Sequence, residues 1–196
     1  MLSEAKWIWL DESAHESGIS AHDGYCVAEI SKAYRLMKTA VALKIQVSAD
    51  TVYKLWVNGA FVGSGPSYPT DEMSFYSEYE LSSAPDTLEI SAIVRKGAQS
   101  ETESTHGVGG FILSCDIEYD DGTLESIFTD EKWDIRYLPS HTSDTETDFT
   151  LAPCEWEKAV EVHYPAALAK SQTLPLFEQI IEPEHQKMYV CPKRSV

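Results

Sequence analysis

Apolar and polar residues alternate with a period of two along most of this sequence. In the segment 41–48 the large apolar residues Val41, Leu43, Ile45 and Val47 occupy every odd position. Successive side chains of a β-strand point to opposite faces, so this pattern predicts a strand with one buried and one solvated face. The same pattern predicts strands at 88–94 and 111–119. Further strands are predicted at 6–9, 25–36, 51–57, 60–63, 74–81, 124–129, 133–137 and 156–163.

Turn residues separate these segments at short intervals. Asn58-Gly59 lies between two apolar runs, and both central residues of a type I′ turn need a positive φ, which Asn and Gly tolerate best. Asp120-Asp121-Gly122 has a similar place before the strand at 124–129. About ten short strands joined in this way are typical of a sandwich. We therefore predict an all-β fold, an antiparallel β-sandwich, with no amphipathic helix of three turns.

The periodicity weakens near residue 165. We predict a sandwich over residues 1–164 and an extended connector over 165–196, in which Pro165, Pro175, Pro183 and Pro192 recur without a regular pattern. Apolar residues such as Leu174 continue into the connector, which favours a chain that leads towards another domain. Polar loops are predicted at 97–110 and 140–150.

The charge of the chain excludes one group of partners. With 15 basic and 32 acidic residues, the net charge is −17. Nucleic acids and anionic membranes are bound through clusters of Lys and Arg, so neither is expected as a partner. The first residues lack the apolar core of a signal peptide, and no stretch has the roughly 20 apolar residues that span a bilayer. We therefore expect a cytoplasmic protein with reduced cysteines.

The run from Ser48 to Pro66 carries the densest motif. It reads as a strand, a tight turn, a return strand and a Gly-Pro corner. It resembles a stretch in the N-terminal β-sandwich of bacterial α-L-rhamnosidases, a group of glycoside hydrolases. The matching positions are Asp50, Tyr53, Leu55, Val57, Asn58, Gly59, Val62, Gly63, Gly65 and Pro66.

Five further segments match the family, and all of them occur along the chain in the order that the family shows. The resemblance therefore covers Lys6 to about Glu182. The five segments are Trp7-Ile8-Trp9, the segment 75–81, the pair formed by 121–123 and 129–133, the segment 155–160, and 174–178. The sequence departs from the family in two places. After the Gly-Pro corner, where the family often has Arg, this chain continues with Ser67. In the segment 75–81, Ser77 and Glu80 replace two aspartates of the family.

The resemblance implies a jelly-roll-like, galactose-binding-like sandwich. In the family, the catalytic carboxylates lie on a downstream (α/α) barrel, and nothing in this chain resembles that barrel. A glycosidase needs two carboxyl groups at a defined separation, one with a raised pKa. With 32 acidic residues, some pairs meet the distance by chance, so no catalytic residue is assigned and no catalysis is expected from this chain alone.

Trp56, Lys54 and Tyr68 are the candidate contact residues. Trp56 and Lys54 share one face of the predicted strand, where an indole beside a polar group suits stacking on a sugar ring. The alternative, which we favour, is that Trp56 packs on a neighbouring strand, loop or domain. A core position is predicted for the other four tryptophans, Trp7, Trp9, Trp133 and Trp156.

Metal and cofactor sites have weak support. Oxygen ligands for Ca²⁺ are available at Asp116, Glu118, Asp120 and Asp121, but a solvated acidic hairpin explains the same residues. The six histidines show no clustered spacing, so zinc is not expected. We assign no metal ligand and no cofactor.

Three functional hypotheses remain. The first is a non-catalytic module of a rhamnosidase-type glycoside hydrolase, packed on the catalytic domain of the same polypeptide and contacting carbohydrate. The second is a stand-alone, lectin-like carbohydrate-binding protein. The third, which has the least support, is a complete small glycosidase.

Overall fold

A computed structural model describes residues 2–66, 73–84, 87–98, 107–143 and 145–171. Within these ranges the chain is mostly strand, and the predicted β-sandwich is confirmed. The helical segments are short: two 3-10 turns at Leu2–Glu4 and Glu12–His15, and α1 at Glu16–Ser20. None of the helices in the described ranges is long and apolar enough to cross a membrane.

Within the described ranges, thirteen strands form two sheets. Sheet A contains, in spatial order, β12 (Val160–Glu161), β1 (Ile8–Trp9), β8 (Phe111–Tyr119), β3 (Ala40–Ala49), β6 (Met73–Ala84) and β13 (Ala167–Lys170), with β9 (Leu124–Phe128) also paired to β8. Sheet B contains β11 (Glu157–Lys158), β10 (Asp134–Tyr137), β2 (Cys26–Arg35), β7 (Thr87–Lys96), β4 (Val52–Val57) and β5 (Ala60–Gly65).

The alternation in the sequence places the core between the sheets. On β7, the side chains of Leu88, Ile90, Ala92 and Val94 are buried, and the residues between them are half-buried or exposed. Trp9, Trp133, Tyr53 and Phe111 are among the largest fully buried side chains, and they come from both sheets. Burial of these apolar surfaces is the main stabilising contribution in a fold of this kind.

Two differences from the predicted strands have a physical reason. The segment 156–163 is divided at the buried Ala159, so that β11 pairs with β10 in sheet B and β12 pairs with β1 in sheet A. Strand β13, inside the predicted connector 165–196, pairs with β6 in parallel. Parallel pairing needs no local turn, which is why no hairpin signal marks this strand in the sequence. Residues 172–196 lie outside the described ranges, so the division of the chain into sandwich and connector stays a prediction.

The two ends of the sandwich differ in the length of their connections. Tight turns such as Asn58-Gly59 and Asp121-Gly122 lie at one end. The long connections 10–25 and 138–156 leave the sheets at the opposite end, which we call the long-loop end. The connection from β3 to β4 and the last residues of β7 also lie there.

A buried polar network lies at the long-loop end. Asp50, between β3 and β4, is fully buried, and its Oδ1 accepts a hydrogen bond from the Tyr164 hydroxyl at 3.0 Å. The Tyr164 oxygen also lies 3.2 Å from Ser74 Oγ, and the Tyr164 ring stacks on Trp7 with centroids 3.8 Å apart. A buried carboxylate needs such partners, because an unsatisfied one costs much of its hydration free energy.

We expect Tyr164→Phe to lower the free energy of unfolding by about 1–3 kcal/mol, because Asp50 then loses a buried donor. Urea denaturation followed by circular dichroism measures the change. The matched control is Tyr137→Phe: the Tyr137 hydroxyl is also buried, and it has no hydrogen-bond partner among the described residues. That variant should be neutral or slightly more stable. Equal losses in both variants would contradict the role given to Tyr164.

Strand β13 generates a prediction about pH. Two hydrogen bonds hold the pKa of Glu78 below its ordinary value. The bond from Lys170 has the larger effect and the bond from Gln46 the smaller one. The folded state thus binds a proton at Glu78 less tightly than the unfolded state. The resulting stabilisation is complete above about pH 5 and is lost as the pH falls through the lowered pKa. The difference in unfolding free energy between the wild type and Glu78→Gln, below about 1 kcal/mol at pH 7, should therefore shrink towards pH 3. A difference that does not change with pH would contradict this assignment.

Candidate functional site

The β4–β5 hairpin is fixed by its turn. Asn58 and Gly59 have φ values of 49° and 75°, as a type I′ turn requires. The Asn58 side chain also accepts a hydrogen bond from the Glu89 amide at 2.8 Å, and the Asn58 amide donates to the Glu89 carbonyl at 2.8 Å. Because Glu89 belongs to β7, these bonds hold the turn against the neighbouring strand.

Two glycines allow the hairpin to approach sheet A. A Cβ on Gly63 would lie 2.5 Å from Cε1 of Tyr79, a residue of β6, and one on Gly65 would lie 2.8 Å from the Tyr53 hydroxyl. The Tyr53 and Tyr79 hydroxyls lie 3.1 Å apart. The peptide bond between Gly65 and Pro66 is cis. The glycines of the motif therefore have a packing role: they leave room for a pair of tyrosines that joins the two sheets.

Trp56 and Lys54 lie on the face of sheet B that points away from the core. Their neighbours Tyr53, Leu55 and Val57 are buried, whereas Lys54 is exposed and Trp56 is half-buried. The Trp56 ring meets the ring of Phe61, on β5, edge to face, with centroids 5.6 Å apart. Phe61 is 59% exposed. The prediction that Trp56 packs on a neighbouring strand matches this contact, but the aromatic pair stays open to solvent.

The predicted contact residues are thus brought together in part. Lys54 and Trp56 share one face two residues apart on β4, and a β-bulge separates Leu55 from Trp56 in the pairing with β5. Tyr68 lies outside the described residues.

A second aromatic group, missed by the sequence analysis, lies on the same face of sheet B. Arg136, on β10, donates a hydrogen bond from Nε to Glu29 Oε2 at 2.7 Å, and Glu29 lies opposite it on β2. The indole of Trp156 covers the guanidinium, with 4.5 Å between Cζ and the ring centroid. Trp156 is 43% exposed, so the prediction of a core position is wrong for this residue.

The remaining tryptophans are less accessible. Trp9 and Trp133 are buried, as predicted, and Trp7 is half-buried in its stack on Tyr164. The reason for the wrong prediction at Trp156 is local. The chain passes from one sheet to the other at Ala159, so the alternation before that point does not report which side chains are buried.

Two shallow clefts lie at the long-loop end. One, of about 300 Å³, is lined by residues of the first helical turns, including Glu12, Glu16 and Ile19. The other, of about 420 Å³, is lined by His22, Asp23 and residues near Thr142. Neither cleft has an exposed aromatic ring among its described lining residues.

Two of the four acidic residues predicted as a weak Ca²⁺ candidate bind neighbouring side chains. Asp116 accepts a hydrogen bond from Ser126 at 2.6 Å, and Asp121 binds Thr123 and Lys38. Across the described ranges, no group of three or more His, Cys, Asp or Glu side chains is placed to hold a metal ion.

The pKa shifts of the described carboxyl groups go in one direction. The described carboxyl groups with a shifted pKa all lie below their ordinary values, each mainly through a hydrogen bond, whereas a glycosidase acid needs a raised pKa. They are Asp11, Glu78, Asp121 and Asp148. Burial raises the pKa of the Cys115 thiol to about 12 and also raises that of Cys26, which makes both poor nucleophiles.

The sequence matches no known protein-family model, and no curated protein is significantly similar to it. Solved structures do share the fold. A lectin from Pleurotus ostreatus, solved in complex with GalNAc, aligns with a TM-score of 0.58 and 23% identity over 83% of this chain and 43% of the lectin chain.

Two α-L-rhamnosidases also share the fold. The enzyme from Dictyoglumus thermophilum aligns with a TM-score of 0.58 and 16% identity, over 85% of this chain and 22% of the enzyme. The enzyme from Streptomyces avermitilis, complexed with L-rhamnose, aligns with a TM-score of 0.55 and 17% identity, over 72% of this chain and 16% of the enzyme. The predicted resemblance to a rhamnosidase sandwich is therefore confirmed at the level of the fold. The chain spans less than half the length of the lectin and about a fifth of the rhamnosidases.

The contact between Gly63 and Tyr79 generates a prediction. We expect Gly63→Ala to lower the free energy of unfolding by about 1–3 kcal/mol, because the new methyl group overlaps the tyrosine ring. In a Tyr79→Leu background the same change should cost clearly less, since the smaller side chain removes the overlap. Thermal or urea unfolding of the four proteins measures the coupling.

The control for this cycle is Gly122→Ala. Gly122 has a positive φ of 79°, and no atom lies within 4 Å of the position that a Cβ would take there. The cost of this change is backbone strain alone, so it should be the same in the wild-type and Tyr79→Leu backgrounds. A cost of Gly63→Ala that is equally insensitive to Tyr79→Leu would show that the close approach is unimportant.

Proposed function

We propose that this chain is a non-catalytic carbohydrate-binding β-sandwich module that binds sugar on the outer face of sheet B. The observation that carries the proposal is the solvent-accessible pair of Trp56 and Phe61 beside the exposed Lys54. The fold is shared with a lectin solved with GalNAc and a rhamnosidase solved with L-rhamnose, which supports sugar as the ligand class.

The chemistry of the face suits a sugar. An indole offers a flat apolar surface to the C–H groups of a pyranose ring, and its position against Phe61 restrains its orientation before binding. The Lys54 ammonium has three donors for hydroxyl or carboxylate oxygens. Within the described ranges no carboxylate lies within 4 Å of that ammonium.

We further propose that the module belongs to a rhamnosidase-type glycoside hydrolase and packs on its catalytic domain. The matched segment makes up 22% and 16% of the two rhamnosidase chains, which supports a place within a larger enzyme. A stand-alone lectin-like protein is the second candidate, favoured by the match to the Pleurotus lectin. Sequencing of the native reading frame on both sides of these residues distinguishes the two.

The proposed module acts in the cytoplasm, without a metal or other cofactor. Sugar binding should therefore be unchanged by EDTA. Loss of binding in EDTA, with recovery on addition of Ca²⁺, would replace this proposal with the Ca²⁺ alternative.

Isothermal titration calorimetry with L-rhamnose and with GalNAc tests the proposed site. We expect measurable binding of at least one of these sugars, and a loss of tenfold or more in Trp56→Ala, roughly 1.4 kcal/mol of binding free energy. The matched control is Leu124→Ala, since Leu124 is 75% exposed but lies on sheet A. Unchanged affinity in Trp56→Ala would exclude this face, and no heat with any sugar would contradict carbohydrate binding.

Catalysis is tested separately. We expect no hydrolysis of an aryl α-L-rhamnoside by the purified chain. Turnover that is lost on replacement of a single carboxylate would overturn the non-catalytic assignment.

A further inference from the structure

The outer face of sheet B carries aromatic groups at two separate places. Trp156 lies over Arg136 on β10, and Trp56 meets Phe61 at β4 and β5. Strands β2 and β7 lie between β10 and β4. Three strand spacings separate the two places, about 14 Å across the sheet, which is too far for one monosaccharide to contact both.

The surface between the two aromatic groups is polar except at Ile93, which packs against a small apolar cluster of Tyr25, Val27 and Leu138. Strand register places Glu29, Ile93 and Lys54 in one row that starts at Arg136. The adjacent row runs from Asp134 through Ser31 and Ser91 to Trp56. Neither serine hydroxyl has a hydrogen-bond partner among the described residues, so both are available to a ligand.

The charge of this face differs from that of the whole chain. The protein has a net charge of −17. On the strands of sheet B, however, cations outnumber anions among the residues that point away from the core. The cations are Arg35, Lys54, Arg95, Arg136 and Lys158, and the anions are Glu29, Glu89 and Asp134.

The corresponding face of sheet A shows the opposite balance. On β3, β6, β8 and β13, the outward cations among the described residues are Lys44 and Lys170, and the outward anions are Glu78, Glu80, Asp116 and Glu118. The two faces therefore have opposite electrostatic preferences, and sheet B favours an anionic ligand.

We propose that the outer face of sheet B binds a linear acidic oligosaccharide, with one sugar ring on Trp156, another on Trp56, and a uronate carboxylate between them paired with Lys54. This inference rests on the proposed function and specifies its substrate class. The rings supply stacking surfaces at both ends, the serines supply hydroxyls, and Lys54 supplies the charge. The hydrogen bond from Arg136 to Glu29 fixes the guanidinium beneath Trp156, so that platform is preorganised.

Calorimetry with galacturonate oligomers of one to four residues tests the proposal. We expect tetragalacturonate to bind at least tenfold more tightly than the monomer, because only the longer chain reaches both aromatic groups. Trp156→Ala should lower the affinity for the tetramer about tenfold and leave monosaccharide binding at Trp56 unchanged. Leu124→Ala is again the control, and thermal unfolding confirms that each variant folds.

The charge is tested with a matched pair of lysine variants. Lys54→Gln should weaken tetragalacturonate binding about tenfold and weaken binding of cellotetraose, a neutral chain of equal length, by a clearly smaller factor, because a neutral hydroxyl loses only a hydrogen bond there. Lys44→Gln, on the other sheet, should alter neither. Binding of tetragalacturonate should also weaken between 50 and 500 mM NaCl, because an exposed ion pair is screened by salt.

Each alternative outcome has a defined meaning. Sugar binding that depends on Trp56 but gains nothing with chain length, or is unaffected by Trp156→Ala, would overturn the extended site and leave the proposed function intact. Equal affinity for cellotetraose and tetragalacturonate would overturn the acidic specificity. Equally tight, Lys54-dependent binding of hexaglutamate would assign the face to an acidic peptide instead. No binding of any sugar would overturn both proposals.

Discussion

The side chains on the outer face of sheet B are held there by the apolar residues beside them in sequence. Leu55 is fully buried between Lys54 and Trp56, and Ile135 and Tyr137 are buried on either side of Arg136. A shift of one residue in strand register would bury these polar groups and expose the core, so the register is strongly specified. The part of the proposed binding surface that lies on strands is therefore a consequence of core packing. Trp156, the last residue of the connection 138–156, is placed by its contact with Arg136.

The edge of sheet B depends on a second constraint, the close approach of backbone to aromatic rings. Gly63 and Gly65 leave space for Tyr79 and Tyr53, and Asn58 ties the hairpin to β7. These residues coincide with the densest sequence motif, and in this structure each has a packing or turn role. The motif residues therefore determine the structure of the hairpin, whereas the side chains proposed to contact a ligand are Trp56, Lys54 and Phe61.

Most of the fold could be predicted from the sequence, because period-two alternation and turn residues act locally. Strand β13 could not, since its parallel pairing with β6 joins residues about ninety positions apart without a turn signal. Trp56 and Lys54 were found because β4 alternates regularly. Trp156 was wrongly assigned to the core. The chain changes sheets at Ala159, so the alternation of apolar and polar residues there does not indicate which side chains are buried. Phe61 was missed as a partner of Trp56 because cross-strand neighbours depend on register and on the bulge in β4–β5.

The central claim is that one acidic glycan contacts both aromatic groups on the outer face of sheet B. The most direct measurement is a ¹H–¹⁵N NMR titration with tetragalacturonate, in which the five tryptophan indole N–H signals are assigned. We predict that the signals of Trp56 and Trp156 shift together along one binding curve, and that those of the buried Trp9 and Trp133 do not. Shifts confined to residues of the long-loop end, such as His22 and Thr142, would place the ligand elsewhere and contradict the account.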